Sequence, residues 1–186
     1  MKSEWDRIEA WLAENAPNML DNLQPGAIDE LIHQAESFMG IELPEDVKAH
    51  YRIHNGERTE VDGGLLEGFW WLPLEEVMAH WKSWKGILDE ETEEIEGEPH
   101  GPIKTNWWNL KWIPITTNNA GDYYCLDLDP APGGEMGQII SAWHEGAERY
   151  LVTNSFQSWL EILADDLESG KYSYCEEYRL VREDDE

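Results

Sequence analysis

Basic residues are scarce in this sequence. It holds 13 Lys and Arg against 40 Asp and Glu, which gives a formal net charge of −27. A chain this acidic repels the phosphates of nucleic acids and the anionic inner leaflet of a membrane, so we expect neither as a partner. The same charge attracts basic proteins and speeds their encounter, but it also keeps a protein soluble and monomeric. Composition alone leaves both interpretations open.

Cysteines and long apolar runs are also few. Cys125 and Cys175 form no C-x-x-C pair and are too few for a disulfide framework, so they indicate neither zinc nor redox chemistry. One bridge between them stays open, although a reducing compartment is the simpler interpretation. The first residues lack the apolar stretch of a secretory signal, and no run approaches the roughly 18 residues of a membrane span. We therefore expect a cytoplasmic protein.

Aromatic side chains are plentiful instead. Eleven Trp and a hydrophobic fraction of 41% supply the apolar surface that disordered acidic chains lack, so a packed core is expected. A chain of 186 residues fits one domain. We predict a single domain over residues 1–186, with an acidic loop or insertion at residues 89–101 and a short acidic tail at residues 183–186.

Helical patterns dominate the first third of the chain and return twice later. A first helix begins after Ser3, with Asp6 as its capping-box partner. A second carries apolar residues at helical spacing over residues 28–39 and ends at Gly40. The other predicted helices begin near Pro44, Pro73 and Ser155.

Alternating apolar and polar residues predict several strands. Short turns connect the later ones, which indicates an antiparallel meander. Pro114 cannot donate to a ladder and places its strand at or near an edge. The expected fold class is α+β, a central, mostly antiparallel sheet flanked by helices. The predicted strands are residues 65–72, 112–117, 123–128, 138–143 and 149–153, with a further short strand within residues 172–180.

Two clusters of polar residues could hold a metal ion. His50 and His54 stand four apart on one predicted helix, but the acid that a zinc protease places beside the first His is missing. Asp122, Asp127 and Asp129 surround a turn and a strand, yet their spacing matches no calcium loop. We favour structural histidines and solvated carboxylates, and a metal enzyme or hydrolase remains a third hypothesis.

Other enzyme motifs are missing. Ser141 and Ser155 lie in no G-x-S-x-G elbow, and the sequence has no phosphate-binding glycine loop. We therefore predict no catalytic residue, no cofactor and no bound metal.

Paired tryptophans suggest a binding surface. Neighbours on a strand point to opposite faces, so one residue of each pair at 70–71 and 107–108 can be exposed. An exposed Trp beside acidic residues resembles a protein-binding hot spot, whereas Trp81, Trp84 and Trp159 are expected in the core. We predict binding on the polar face of the sheet and its loops. The candidate partner-binding residues are Trp71, Glu90, Glu91, Glu93, Glu94, Trp107, Trp108, Asp122, Asp127 and Asp129.

Short motifs follow one another along nearly the whole chain. They are LPED at 43–46, NG at 55–56, LPLEE at 72–76, WIPI at 112–115, GDYYCLDLDP at 121–130 and FQSWL at 156–160. Each is common alone, but in this order they resemble the SMI/KNR cell-wall-regulator family, the first group of the SUKH superfamily. The resemblance implies an α+β fold and no enzymatic activity.

The resemblance also implies a protein partner, of two alternative kinds. Bacterial members look like immunity proteins that neutralise a cognate toxin, and yeast members resemble regulators and scaffolds of cell wall synthesis. Many toxins are nucleases with a basic cleft, which an acidic inhibitor could fill. A chain without long disordered arms favours the bacterial kind. We therefore expect an immunity protein that binds a basic toxin domain, with a regulatory or scaffold protein as the alternative.

Overall fold

The described part of the chain is an α+β structure, as predicted. The computed structural model covers residues 3–60, 63–66, 68–90, 95–175 and 179–183. Within these ranges it has six helices and nine strands. The helices are α1 (Glu4–Asn15), α2 (Pro17–Asn22), α3 (Asp29–Met39), α4 (Glu45–Ile53), α5 (Leu74–Glu90) and α6 (Phe156–Glu168).

Capping residues set the ends of the helices. Ser3 accepts a hydrogen bond from the backbone of Asp6 (3.2 Å), whose carboxylate accepts from the backbone of Ser3 (2.9 Å), so the predicted capping box is confirmed. Ser155 caps α6 in the same way by accepting from the backbone of Ser158. Gly40 adopts the left-handed conformation that ends α3.

Two details of the predicted helices are wrong. Helix α4 begins at Glu45, so Pro44 is its N-cap rather than its first residue. The apolar face predicted over residues 28–39 is narrower than expected, because Ile28 is 70% exposed and Phe38 is 47% exposed. Apolar residues at the edge of a helical stripe can remain at the surface without cost to the core.

The strands are β1 (Trp70–Trp71), β2 (Glu98–His100), β3 (Trp112–Pro114), β4 (Thr116–Thr117), β5 (Tyr123–Asp127), β6 (Gln138–Ala142), β7 (Glu148–Thr153), β8 (Tyr172–Cys175) and β9 (Arg179–Arg182). A five-stranded sheet forms the centre of the protein, in the order β2-β7-β6-β5-β3. Strands β5, β6 and β7 pair antiparallel as the predicted meander, and β3, which contains Pro114, lies at an edge as predicted.

Two segments differ from the strand prediction. Of the described residues within 65–72, only β1 is a strand, paired with β4. Leu66 and Phe69 instead face each other across a tight turn, joined by two backbone hydrogen bonds. Gly64 approaches the turn so closely that a Cβ there would lie 2.0 Å from the backbone of Phe69. Residues 98–100 were predicted as loop, yet β2 pairs parallel with β7. A three-residue strand that contains Pro99 gives no period-two signal.

Both faces of β5 are covered, which corrects the prediction of a polar face on this strand. Helices and the loop that precedes β1 cover one face, where Tyr124 and Leu126 join the main core. We call this loop, described at residues 63–66 and 68–69, the β1 loop. The other face carries Tyr123 and Cys125, which pack in a second cluster. That cluster is completed by Trp84, Ile103, Trp108, Trp112, Ile140 and Ala142. Trp81, Trp84 and Trp159 are buried, as predicted.

Arg149 of β7 connects the sheet to the segment that covers its second face. The side chain is 1% exposed. Its guanidinium donates to the backbone carbonyls of Gly146 (3.0 Å), Glu148 (2.8 Å) and Trp107 (2.6 Å), and a longer contact reaches Trp143. Burial lowers the pKa of this guanidinium. A buried cation held by main-chain oxygens fixes the 107–108 segment against the sheet.

The remaining predictions concern membrane spans, the single domain and the acidic stretches. In the ranges given above, no helix is both long and apolar enough to cross a bilayer. The single domain over residues 1–186 stays a prediction. Of the predicted acidic loop at 89–101, Asp89 and Glu90 end α5 and residues 98–100 form β2, while residues 91–94 lie outside the described ranges. Of the predicted acidic tail, residues 184–186 also lie outside them.

Candidate functional site

An open groove lies where the β1 loop, the turn before β5 and the end of β6 meet. Its volume is ≈ 440 Å³. We call it the aromatic groove. It is lined by Phe69, Asp122, Tyr124, Trp143, His144, Glu145 and Gly146.

Three aromatic rings form the floor of the groove. The ring centroids of Phe69 and Tyr124 are 4.8 Å apart, and those of Phe69 and Trp143 are 5.6 Å apart. Tyr124 meets Trp143 edge to face at 5.3 Å and is backed by the buried Trp159 at 4.9 Å. Tyr124 lies on β5 and Trp143 directly follows β6, the neighbouring strand, so adjacent parts of the sheet hold both rings.

A carboxylate–imidazole pair stands at the rim. Oδ1 of Asp122 accepts from both the backbone nitrogen and Nδ1 of His144, each at 3.0 Å. Oδ2 accepts from Asn118 at 2.9 Å. Partial burial by itself raises the pKa of Asp122, but the hydrogen bonds from His144 and Asn118 outweigh it and lower that pKa. The rim therefore carries a fixed negative charge.

The predicted turn at residues 118–122 builds this rim. Asn118 accepts backbone hydrogen bonds from Ala120 (2.8 Å) and Asp122 (3.1 Å), an Asx turn. Gly121 has φ +96°, and a Cβ there would lie 2.9 Å from Cγ of His144. Only glycine leaves room for the His144 ring against the turn.

A buried carboxylate fixes the loop that carries Phe69. Glu57 is 1% exposed and accepts from the backbone nitrogens of Leu65 (3.1 Å) and Trp71 (2.8 Å), on either side of the turn. Burial raises the pKa of Glu57 to about 7, although these hydrogen bonds and one from Asn22 act in the opposite direction. Between the pKa of an ordinary Glu and pH 7, the folded state therefore keeps a proton on Glu57 that the unfolded state has released.

The raised pKa predicts that stability depends on pH. Glu57 has a pKa of about 7 in the folded state and that of an ordinary Glu in the unfolded state. The stabilisation from its protonation is therefore complete below the unfolded pKa and is lost as pH rises through 7. Lowering the pH from 8 to 5 should raise the free energy of unfolding by roughly 2–3 kcal/mol through Glu57 alone. Urea unfolding at several pH values measures the change.

Two variants separate Glu57 from the general relief of acidic repulsion. Glu57→Gln should flatten the pH dependence between 5 and 8, while Glu42→Gln, at an exposed position, should retain the wild-type slope. If Glu57→Gln retains that slope as well, the buried carboxylate does not titrate in this range.

Several predicted binding residues are buried, which corrects their assignment. Trp71 is fully buried in the main core and Trp108 is 4% exposed in the second cluster. Asp127, expected on a solvated face, is buried and accepts from Gln138 (2.9 Å) and the backbone of Asp129 (2.9 Å). Burial raises the pKa of Asp127. None of these three side chains can contact a partner without unfolding.

The other predicted residues lie at or near the surface. Trp107 is half-buried, with its ring 5.4 Å from that of Trp84. Asp129 is half-buried and pairs with Lys104 at 2.7 Å. Asp122 is the predicted residue that lines the aromatic groove. Phe69 and Trp143 were missed, and the signal that could have found Trp143 is the W-H-E-G sequence that begins at the last residue of a predicted strand.

The acidic segment stays a prediction. We use this name for Glu90, Glu91, Glu93 and Glu94. Glu90 is exposed at the end of α5, and the other three lie outside the described residues.

The two histidines of the metal hypothesis have structural partners. His50 accepts from the indole nitrogen of Trp5 at 3.1 Å. His54 contacts Glu9 (3.0 Å) and the carbonyl of Gln24 (3.0 Å). Within the described ranges, no three His, Cys, Asp or Glu residues are grouped so that they could hold a metal ion. These contacts support the interpretation of His50 and His54 as structural residues.

Comparison with known proteins identifies the family. The sequence model of the SMI1 / KNR4 family (SUKH-1) matches residues 26–162. The chain belongs to this family. The match includes every residue that lines the aromatic groove of this SMI1/KNR4 chain.

Curated relatives come from fungi. The chain is 28% identical to the cell wall biosynthesis/cell cycle regulator smi1 of Schizosaccharomyces pombe, a match that covers 100% of the chain and 38% of the relative. It is 26% identical to a glucan synthesis regulatory protein of Neurospora crassa, over 91% of the chain and 39% of the relative. It is 24% identical to the cell wall assembly regulator SMI1 of Saccharomyces cerevisiae, over 90% and 40%. The chain thus spans about two fifths of the length of these relatives.

The expectation of a toxin-neutralising immunity protein is wrong. The relatives that match nearly the whole SMI1/KNR4 chain are named as regulators of glucan synthesis and of the cell wall. Negative charge attracts any basic partner and could not distinguish a toxin from another protein. The relatives support the regulatory alternative instead.

Proposed function

We propose that this chain is a non-enzymatic, protein-binding domain with a regulatory or scaffold role in the control of cell wall synthesis. The observation that carries the proposal is the match of 90% or more of the chain to relatives named as regulators of glucan synthesis and cell wall assembly. The aromatic groove supports it, because a rigid aromatic floor with a charged rim suits recognition of a protein segment.

The groove is better suited to binding than to catalysis. It holds a carboxylate–imidazole pair in Asp122 and His144, but its described lining contains no Ser, Thr, Cys or Lys that this pair could activate. Cys125 is buried behind the second face of the sheet, and burial raises the pKa of its thiol. A buried, protonated thiol is unreactive.

A chimera in fission yeast tests the proposed function. The S. pombe regulator is chosen because its match covers the whole chain. Cells that lack this regulator would receive the intact protein, a chimera in which this chain replaces the matched segment, or the protein without that segment. We expect the chimera to restore growth in the presence of a wall-digesting glucanase, and the truncated protein to fail. A chimera of equal abundance that grows no better than the truncated protein would contradict the proposal.

The acidic segment is proposed to steer a basic partner. Reversal of its four charges to Lys should lower the association rate by about tenfold at low salt and leave the dissociation rate unchanged, because steering acts before contact. The difference should shrink at high salt. Stopped-flow mixing with the partner that co-purifies with the rescuing chimera measures both rates.

A control set of four charge reversals tests whether total charge alone explains the slower association. If it lowers the association rate equally, the acidic segment acts only through the net charge. The control reverses four exposed acids outside the segment and so makes the same change in total charge. These acids are Glu14, Glu30, Glu42 and Glu161.

A further inference from the structure

The aromatic groove combines negative charge with partly exposed π surface, since Phe69 and Trp143 are half-buried and Tyr124 is buried. The pairs that Asp122 and Glu145 make at the rim are both with His144, at 3.0 and 3.7 Å. Glu145 is 88% exposed at its side chain. In the described residues, the Lys and Arg side chains that form ion pairs do so with carboxylates outside the groove. They are Arg7, Lys48, Arg52, Lys85, Lys104, Lys171 and Arg182.

The chemical group that complements this groove is a cation with a flat face. A guanidinium stacks on aromatic rings and donates in a planar fork to carboxylates, whereas an ammonium is a compact and strongly hydrated charge. Oδ2 of Asp122 accepts one hydrogen bond from Asn118 and retains a lone pair for a second donor. Glu145 adds a carboxylate on the same rim.

The sheet extends the aromatic surface beyond the groove. Tyr124 of β5 lies opposite Ser141 of β6, whose hydroxyl accepts from the backbone of Tyr150 on β7 at 3.1 Å. Tyr150 lies opposite His100 of β2, and their rings stack at 4.4 Å. Both are exposed. Ser141, between Tyr124 and Tyr150, is buried, so the exposed surface beyond the groove is the Tyr150–His100 pair, which residues that flank an inserted side chain can contact.

We propose that the aromatic groove binds an arginine side chain of a protein partner. The guanidinium lies over the ring of Trp143 and pairs with Asp122 and Glu145. The partner residues that flank this arginine contact the exposed Tyr150–His100 pair. The assignment rests on the proposed function, since it names the partner chemistry of the same binding domain.

Arginine peptides test the assignment directly. The probes are capped Gly-Gly-Arg-Gly-Gly and its citrulline analogue, which keeps the shape of arginine and removes the charge. Indole N–H resonances of the ¹⁵N-labelled full chain report binding, and Trp143→Phe identifies the Trp143 signal. We expect the arginine peptide to shift that signal with a dissociation constant in the millimolar range, and citrulline to bind about tenfold more weakly. Equal binding of the two peptides, or shifts confined to other tryptophans, would overturn the assignment.

Charge variants place the site on the rim. Glu145→Gln and Asp122→Asn should each raise the dissociation constant of the arginine peptide by about threefold to fivefold. Glu30→Gln, at an exposed position on α3, should leave it unchanged. Glu145 is so exposed that its variant keeps the fold, which an unchanged indole spectrum verifies. If neither rim variant weakens binding, the groove is not the arginine site.

The two proposals fail in different ways. Yeast rescue by the chimera without selective arginine binding would overturn the groove assignment and keep the regulatory function. Selective arginine binding in a chimera that does not rescue would overturn the regulatory function and keep the site.

Discussion

Arg149→Met is expected to lower the free energy of unfolding by about 3–5 kcal/mol, as measured by urea denaturation. Methionine fills a similar volume but donates no hydrogen bond, so the carbonyls of Gly146, Glu148 and Trp107 lose their partner. Apolar replacement of a buried pair can be neutral when both partners are removed together. Here the acceptors belong to the main chain and remain.

A surface arginine provides the control for this variant. Arg52 pairs with Asp29 at 2.7 Å, and both side chains are well exposed, so Arg52→Met should change stability little. Hydrogen exchange should also accelerate in the 107–108 segment of Arg149→Met before the rest of the sheet. Equal stability of the two variants would show that the buried guanidinium does not hold the second face.

Trp71→Ala is expected to destabilise the protein by about 3–5 kcal/mol, the usual cost of removing a buried tryptophan. The indole stacks on Trp5 at 5.3 Å and contacts Tyr51 (5.0 Å) and Phe156 (5.5 Å). It therefore joins α1, α4 and α6 to β1. Thermal and urea unfolding of the purified variant measure the loss.

The neighbouring tryptophan is the matched control. Trp70 is half-buried, so Trp70→Ala should cause a clearly smaller loss. If Trp71→Ala keeps wild-type stability and impairs only partner binding, Trp71 is a binding anchor after all and its place in the core is contradicted.

Local signals in the sequence predicted the helices and edges well. Hydrogen bonds between near neighbours determine the capping box of Ser3 and Asp6 and the cap at Ser155, so a short sequence window contains all the required information. Pro114 excludes a central strand for a similarly local reason. These features were found at the predicted places.

Burial could not be predicted from alternation alone. The pattern of β5 shows which residues share a face, but not whether another segment covers that face. Asp127 looked solvated because its partners come from other segments: it accepts from Gln138, whose amide also donates to the carbonyl of Pro102. Trp71 looked like a surface residue for the same reason.

The groove is a product of tertiary structure. Phe69 reaches it from a turn fixed by Glu57, Tyr124 comes from β5, and Trp143 directly follows β6. No motif in the sequence connects these positions. Only Asp122 was a candidate, because the turn chemistry of residues 118–122 is visible locally.

Growth of fission yeast that carries the chimera with Trp143→Ala tests the central claim most directly, that this chain acts as a regulator through the aromatic groove. Trp11→Ala is the matched control, since Trp11 and Trp143 are both partly buried against the main core. At equal abundance, we predict that the unmodified and Trp11→Ala chimeras restore growth on glucanase and that the Trp143→Ala chimera does not. Full rescue by the Trp143→Ala chimera would contradict the claim.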